Sequence, residues 1–443
     1  MHLRLIGCLA VVAIASVVDA YVTVDSAILQ GQFIVKLDCT TNMDAYFVKL
    51  QESQARVLEA SQSINVLPVI NVTQQYNIGD FLGFAVKAHS VEVLKTVLQE
   101  HDEVVAIESD VSLQFIFNKA VELSAKEISE SSKKSSKKSS KKSSKKRHRR
   151  SSPIPAPIAV TTQMNSLWNL ARISERQLNV KQPEYIYYSN GGSGVTIYIL
   201  DDGIDIYHND FGGRAKWGYS VYYSTPNSGT GHGTLVAGIA AGNTVGVAKK
   251  ANLVAVQVLD QTGHGTISGM IAGLTWIIQH ARPGCAVINI SIGVPSSYAG
   301  ISFFNDAVSA AVALGFSVFV SAGDSAANAC RAVPSGNPNV FTVAGTDITD
   351  KPDPNSNFGP CVSMYAPGVN IVSDWIATNN AQAMISGTSY AVPHASGVAA
   401  LFLAQGSYSP FNLYNIMRKQ GTPNVLQHIP SNTPNLMLYN RLS

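Results

Sequence analysis

Apolar and polar positions follow two different patterns along this chain. In the first third, residues 31–37 (Gly-Gln-Phe-Ile-Val-Lys-Leu), 82–88 (Leu-Gly-Phe-Ala-Val-Lys-Ala) and 104–110 (Val-Val-Ala-Ile-Glu-Ser-Asp) read as strands. Between them, Met43–Leu58 and Val91–Gln99 place their apolar residues at helical spacing. This predicts a small α+β domain. From Val195 the strands become near-continuous apolar runs: Val195–Leu200, Leu253–Leu259, Ala286–Ile292, Ser317–Ser321 and Val340–Ala344. Helical stretches at Leu235–Gly242, Ser268–His280 and Phe304–Leu314 separate most of them. Runs of this kind are buried on both faces, so they predict a mostly parallel sheet between layers of helices. Ile385–Leu401 reads as a tight turn feeding a buried helix. Gly387 permits a bend where a side chain would clash, and Ala391, Ala395, Gly397 and Ala399 allow close packing. Ser389 falls at the helix start, where orphan N–H groups and the positive end of the dipole point outward. An ordinary Ser cap and a nucleophile both suit that place.

Composition changes the picture in a few places. A hydrophobic fraction of 46% with 34 Gly suits a Gly-rich α/β body with a large core. The net charge of +3 conceals segregation: residues 21–130 hold 7 basic against 15 acidic, 131–150 hold 11 against none, and 151–443 hold 13 of each. The basic character is one tract and not a folded surface, so no nucleic-acid partner is expected. That tract repeats Ser-Ser-Lys-Lys from Ser131 to Lys146 and ends in Arg147-His-Arg-Arg150. With nothing apolar to bury, it is expected to be disordered. A solvated linker, a polyanion-binding arm and a processing site all stay open for it. The last rests on the Arg-x-Arg-Arg pattern, after which a furin-like convertase cuts, here at Arg150.

His2 and Arg4, the apolar stretch Leu5–Val18 and Val18-Asp19-Ala20 fit a secretory signal over residues 1–20, with an uncleaved anchor as the alternative. No later segment is long and apolar enough to serve as a transmembrane anchor. A secreted chain can form disulfides, and Cys39, Cys285, Cys330 and Cys361 remain for them. Asn71-Val-Thr73 is a glycosylation sequon. Asn289-Ile-Ser291 is another, but it sits in a buried run and is expected to be unused.

In parallel α/β sheets, function collects at the carboxyl ends of strands and the amino ends of the next helices. Asp201 ends one strand, His232 opens a helix within Gly231-His-Gly-Thr234, and Ser389 opens another within Gly387-Thr-Ser389. A serine that attacks a carbonyl needs an imidazole to take its proton and a buried carboxylate to hold the imidazole in the right tautomer. Any one motif is modest evidence. The three together on one α/β body point to nucleophilic catalysis.

On these residues the chain resembles the subtilisin-like serine proteases (subtilases) of the proteinase K type. The matching stretches are Tyr198–Ile204, Gly231–Gly238, Val247–Lys250, Ser291–Gly293, Ser321–Asp324 and Gly387–His394, with Trp168–Ser174 matching the start of the mature enzyme. They cover nearly all of 161–443. The resemblance implies a three-layer α/β subtilisin-like fold behind a small ferredoxin-like α+β propeptide. It implies a serine endopeptidase working through an acyl-enzyme, with Asp201 orienting, His232 as general base and acid, and Ser389 as nucleophile. Residues 21–117 would be an inhibitor propeptide, 118–160 a disordered basic linker with the processing site, and 161–443 the peptidase domain. Gly263, Gly265, Ser291, Ile292 and Gly293 match edges that pair with an extended peptide. Small or apolar walls at 321–323 imply a broad preference for apolar residues before the cut. The implied partners are protein or peptide substrates and the chain's own propeptide as intramolecular inhibitor. Convertases of the kexin type carry many carboxylates and a further β-domain, so a cut after Arg150 would fall to another enzyme.

The departures from the family pattern matter as much. Asp324 stands where most subtilases have an Asn that donates to the oxyanion beside the Ser389 N–H. An ionised carboxylate there repels the developing charge, whereas a protonated one donates, which requires a pKa raised by burial. This implies reduced activity or a mildly acidic optimum. Its extreme is a weak or inactive fold kept as a binding protein. Asp202 replaces the usual Thr or Ser and leaves a swap of roles with Asp201 open. Leu235, Tyr390 and Val392 are packing variations, and His394 is structural in the family. The resemblance implies a Cys330–Cys361 disulfide and offers no partner for Cys39 or Cys285. The family's common calcium site uses carbonyls near Pro338 and Val340 plus a carboxylate, whose place holds Ser363 here. Calcium is therefore left open but not predicted there, and no cofactor is required. Maturation cuts near 117, 150 and 160 all stay open.

Overall fold

The computed structural model describes residues 24–60, 70–115, 120–123, 159–177, 182–222, 228–298 and 301–441. The expected signal, the Ser/Lys tract and Arg150 lie outside these residues.

The N-terminal unit is an antiparallel sheet under two helices. It runs β1 (Val24–Leu37), α1 (Met43–Ala60), β2 (Ile70–Ile78), β3 (Phe81–Ala88), α2 (Val91–Leu98) and β4 (Val104–Phe115). β1 lies between β3 and β4, and β2 pairs with β3 at one edge. Tyr46 and Leu50 of α1 and Leu94, Val97 and Leu98 of α2 pack on Val35, Phe84 and Val86. The other face of the sheet is polar or turned toward the larger domain. β2 is absent from the periodicity reading because its Thr, Gln and Asn residues dilute the alternation of a strand that is apolar mainly at its ends. Asn71 is exposed on this edge strand.

The larger body runs β5 (Val121–Glu122), β6 (Val160–Met164), α3 (Trp168–Ser174), β7 (Glu184–Tyr188), β8 (Thr196–Asp201), β9 (Ala215–Ser220), α4 (His232–Ala241), β10 (Asn252–Gln257), β11 (His264–Thr266) and α5 (Ile267–His280). It continues β12 (Ala286–Ile290), β13 (Val294–Pro295), α6 (Ile301–Ala313), β14 (Ser317–Ser321), β15 (Ala332–Val333), β16 (Phe341–Thr346), β17 (Met364–Pro367), β18 (Ile371–Asp374), β19 (Gln382–Ile385), α7 (Thr388–Leu403), α8 (Pro410–Gln420), β20 (Thr422–Pro423) and β21 (Leu436–Met437). The main sheet has the order β20-β21-β17-β16-β14-β12-β8-β10-β9, parallel throughout except for β20.

Alternation along single strands builds the layers. Ile197 and Ile199 of β8 face the layer of α4, α7 and α8 with Val236, Ala395 and Leu413. Tyr198 and Leu200 of the same strand face α5 and α6 with Ile271, Leu274 and Val308. A strand covered on both sides gains from apolar residues at every position, which is why these runs show no period of two.

Two features bear on the expected division at 117. Within the stretch expected to be linker, residues 120–123 are described, and β5 pairs antiparallel with β19. On the other side, β4 pairs antiparallel with β11 of the larger body. The N-terminal sheet is thereby extended by a strand from its neighbour.

Candidate active site

Main-sheet topology brings the carboxyl end of β8 beside the amino ends of α4 and α7. Asp201 is the last residue of β8, His232 the first of α4, and Ser389 the second of α7. Gly231 precedes α4 with φ +95°, and a Cβ there would meet the Trp375 ring at 2.6 Å. Gly387 holds φ +143° before α7, the bend that brings Ser389 to the helix mouth.

His232 Nδ1 lies 2.7 Å from Asp201 Oδ1, and both side chains are buried. The Nδ1–H donates to the carboxylate, so the ring's lone pair is on Nε2. Burial acts to lower the His232 pKa and is the largest single influence. The charge and hydrogen bond of Asp201, with the charges of Asp202 and Asp324, outweigh it, and the net direction is upward. The Tyr390 ring packs edge-on against the imidazole at 5.5 Å between centroids. This gives a position read only as packing a role in holding the ring.

Asp202 is equally buried but faces elsewhere. Its Oδ1 accepts from the Gly233 N–H at 2.8 Å, and its Oδ2 accepts from the N–H and hydroxyl of Thr230 at 2.6 Å each. Asp201 accepts from the imidazole, and Asp202 fixes the turn that carries it. Burial, and then the charge of Asp201, push the Asp202 carboxyl up to about 7.

The Ser389 hydroxyl donates to the Ser291 carbonyl at 2.8 Å, and the Ser291 hydroxyl donates to the Ser389 carbonyl at 3.0 Å. Asn289 donates to Ser291 Oγ and accepts from Ser396 of α7, which ties the end of β12 to this helix. That network explains why the Asn289 sequon is inaccessible. Asp324 follows β14 and accepts from the Thr388 N–H at 2.8 Å and the Thr388 hydroxyl at 3.0 Å. The Gly323 N–H donates to that same hydroxyl at 3.1 Å. Burial pushes the Asp324 carboxyl up to about 6; Asp353 adds to this, while the Thr388 bonds and His232 oppose it. Thr230 and Thr388 are the supports that motif reading passed over, and nothing local in the sequence marks them.

Ser389 and Asp324 open onto a cavity of about 490 Å3, also lined by Ser291, Ile292, Gly293 and Phe115. Gly263 and Gly265 lie at the β11 edge. The Phe115 N–H donates to the Gly263 carbonyl at 2.9 Å, and Gly265 lies opposite Leu113. The edge expected to pair with an extended peptide is thus covered by the chain's own β4.

Cys330 and Cys361 form a disulfide with Cα atoms 5.3 Å apart, bracing the loop after Asp324, while Cys39 and Cys285 are free thiols. His394 donates from Nδ1 to the Tyr390 carbonyl and accepts at Nε2 from Asn169. Burial pushes its pKa down to about 4, which keeps it neutral. At the place of the family's calcium site, Arg418 donates to Ser363 Oγ at 3.0 Å and stacks over Phe341. A guanidinium on that hydroxyl repels a divalent cation, so these residues do not fit calcium. Among the described residues, no group of three or more His, Cys, Asp or Glu is arranged to hold a metal ion, and no helix is long and apolar enough to cross a membrane.

Comparisons with known proteins agree with this geometry. Residues 192–431 match the family model described as the subtilase family. The chain is 39% identical over 284 residues to "Subtilisin-like protease 2" of Pseudogymnoascus destructans, covering 64% of this chain and 69% of that one. It is 41% identical over 287 residues to "Subtilisin-like protease 3" of Arthroderma benhamiae, covering 64% and 70%. Among solved structures, a cold-adapted subtilisin-like serine proteinase matches with a TM-score of 0.58 at 36% identity, over 63% of this chain and 99% of that one. A parallel sheet that carries aspartate, histidine and serine at these three element ends, with the family match across most of that sheet, settles the assignment: the chain belongs to the subtilase family of serine endopeptidases.

Proposed function

We propose that the chain is a secreted zymogen whose peptidase domain cleaves peptide bonds through an acyl-enzyme on Ser389. The observation that carries this is the buried 2.7 Å bond between His232 Nδ1 and Asp201, at the mouth of the helix bearing Ser389. As Ser389 Oγ turns from Ser291 and attacks a carbonyl, His232 Nε2 takes its proton and Asp201 stabilises the imidazolium. The Ser389 N–H and a protonated Asp324 receive the oxyanion. His232 then passes the proton to the leaving amine, and water attacks the ester to release the acid. An extended substrate adds a strand to the β11 edge. The small and apolar walls of the cavity favour apolar residues before the cut. A fluorophosphonate probe tests the nucleophile: it labels Ser389 in the mature protein, and loss of labelling in Ser389→Ala is the expected control. An unlabelled wild-type protein would refute the reading.

The N-terminal unit acts as the intramolecular inhibitor. Asp110 accepts from the N–H and hydroxyl of Ser268 at the start of α5, Glu108 accepts from Ser302 on α6, and Lys36 pairs with Asp306 at 2.6 Å. These contacts seat β4 over the substrate edge. Residues 1–20 direct the chain to the secretory pathway, where Asn71 is open to glycosylation and Arg150 to a furin-like convertase. No calcium is needed at Ser363.

Asp202 is a positioning residue in this scheme. Asp202→Ala removes three hydrogen bonds from the Thr230–Gly233 turn and the second carboxylate behind His232. The expected result is a fall in kcat of about tenfold with KM nearly unchanged, and an acid limb of the pH profile moved to lower pH. Steady-state kinetics across pH check both. An unchanged acid limb would assign Asp202 to folding alone.

A further inference from the structure

Among the described residues, Arg331 is the one cation lining the cavity beside Ser389. Its neighbours on the wall include the small residues Gly293, Ala322, Ala327 and Ala332. The acid on the same wall is Asp324, whose two carboxylate oxygens are engaged by the N–H and hydroxyl of Thr388. Arg331 is exposed, and among the described residues its guanidinium has no hydrogen bond and no acidic partner. The backbone that carries it is fixed from several sides. Arg331 closes the short turn Ala329–Arg331, where its N–H donates to the Asn328 carbonyl at 3.0 Å. The preceding Cys330 is bonded to Cys361, and its N–H donates to Asn328 Oδ1 at 2.9 Å. The Arg331 carbonyl accepts from the Ser296 N–H at 2.9 Å, at the end of the ladder in which Val294 faces Val333 and Pro295 faces Ala332. A cation on so fixed a backbone meets an entering carboxylate at a lower ordering cost than one on a loose loop. The partly apolar walls lower the local dielectric and strengthen that attraction.

We infer that Arg331 is a specificity-determining residue: it draws an acidic side chain to the position before the cut, alongside the apolar residues that the walls accept, and repels a basic one. The inference rests on the peptidase reading above and deepens it by adding a second class of substrate. An attraction of this kind acts on bound substrate and transition state alike, so it appears in kcat/KM and mainly through KM. Asp324 opposes an incoming acid only when it is ionised, and burial holds its carboxyl up to about 6. At pH 5.5 the charge of Arg331 therefore meets little opposition within the cavity. A glutamate in a peptide, with an ordinary pKa of about 4.3, is already an anion at that pH. Glutamine has nearly the same shape without the charge, so the ratio of the two isolates the contribution of the guanidinium.

The test uses the active enzyme obtained by expressing the full chain, assayed at pH 5.5 on chromogenic peptides that differ only in the residue before the cut: Leu, Gln, Glu and Lys. Wild type is expected to favour Glu over Gln by about fivefold in kcat/KM, with Lys the poorest of the set. In Arg331→Gln the Glu/Gln ratio should fall to about one and Lys should gain on Gln. Arg331→Lys keeps the charge and should keep a preference for Glu, whereas Arg331→Glu should reverse the order of Glu and Lys. Each ratio is independent of the fraction of active enzyme, so a variant that folds in low yield still reports. Added salt should shrink the wild-type ratio and leave that of Arg331→Gln where it was. Cleavage of the Leu peptide with a wild-type Glu/Gln ratio of one or less would overturn the inference and leave the peptidase reading standing. A ratio that is the same in wild type and Arg331→Gln would do so too. Hydrolysis of none of the peptides, with no fluorophosphonate labelling of Ser389, would overturn both.

Discussion

Ser389→Ala lowers kcat by about 10⁶-fold, the size seen when the nucleophile is removed from subtilisin. The substitution deletes one atom, and the fold should accept it. Ser389 loses its bond to the Ser291 carbonyl, but the Ser291 hydroxyl still holds the Ser389 carbonyl at 3.0 Å, and α7 remains packed through Ala391, Ala395 and Ala399. His232→Ala is expected to cost a similar factor, because either change ends attack by the hydroxyl. Asp201→Asn is milder, about 10⁴-fold. The amide would present its N–H₂ to His232 or turn its oxygen there, and only the second keeps the working tautomer. Asp201 Oδ1 also accepts the Asp202 N–H at 2.8 Å, which favours the oxygen at that atom. Rates on a chromogenic peptide, with thermal melts to show that each variant is folded, check the series. Equal losses for Asp201→Asn and Asp202→Asn would contradict the geometry, because Asp201 accepts from the imidazole while Asp202 accepts from Thr230 and Gly233.

Most of the architecture was readable because burial leaves strong traces. A strand covered on both faces shows as Ile197-Tyr-Ile-Leu200, and a helix squeezed between layers shows as the small residues of 391–400. The catalytic candidates were readable because Gly-His-Gly and Gly-Thr-Ser mark backbone bends that few other uses require. What stayed hidden depended on contacts between distant segments. β2 is a polar edge strand. β5 is two residues long and exists only because β19 offers it an edge. The division of labour between Asp201 and Asp202 could not be read from adjacent identical residues, since the choice is made by Thr230 and Gly233, nearly thirty residues on. Thr388 likewise gains its meaning only when β14 brings Asp324 against it. In each case the local sequence is ordinary and the partner supplies the specificity.

The same logic makes residue 324 the most informative position in the site, and Asp324→Asn is expected to raise activity at alkaline pH. Below about 6 the carboxyl holds a proton and can donate it toward an oxyanion; above that pH it is an anion facing one. His232 imposes the opposite requirement. Its pKa is raised, so it is protonated and useless as a base on the acid side. The two working ranges pull apart, and wild type should show a low, narrow optimum. Asparagine removes the alkaline limb. Its oxygen can keep the Thr388 N–H bond of 2.8 Å, while its N–H₂ faces Thr388 Oγ1 with one hydrogen left for the oxyanion. A restored donor is worth about 10²-fold in kcat at pH 8, with little change at pH 5.5. Stability moves in step. A carboxyl whose folded pKa is raised holds a proton that the unfolded chain releases, so its contribution is full below the ordinary carboxylate range and is lost as pH rises through about 6. The asparagine variant escapes that loss. Its advantage in Tm over wild type should therefore grow between pH 4 and pH 6 and then level off. Profiles of kcat and Tm from pH 4 to 9 test the two together. An asparagine variant slower than wild type at every pH would show that this aspartate serves the reaction in its ionised form.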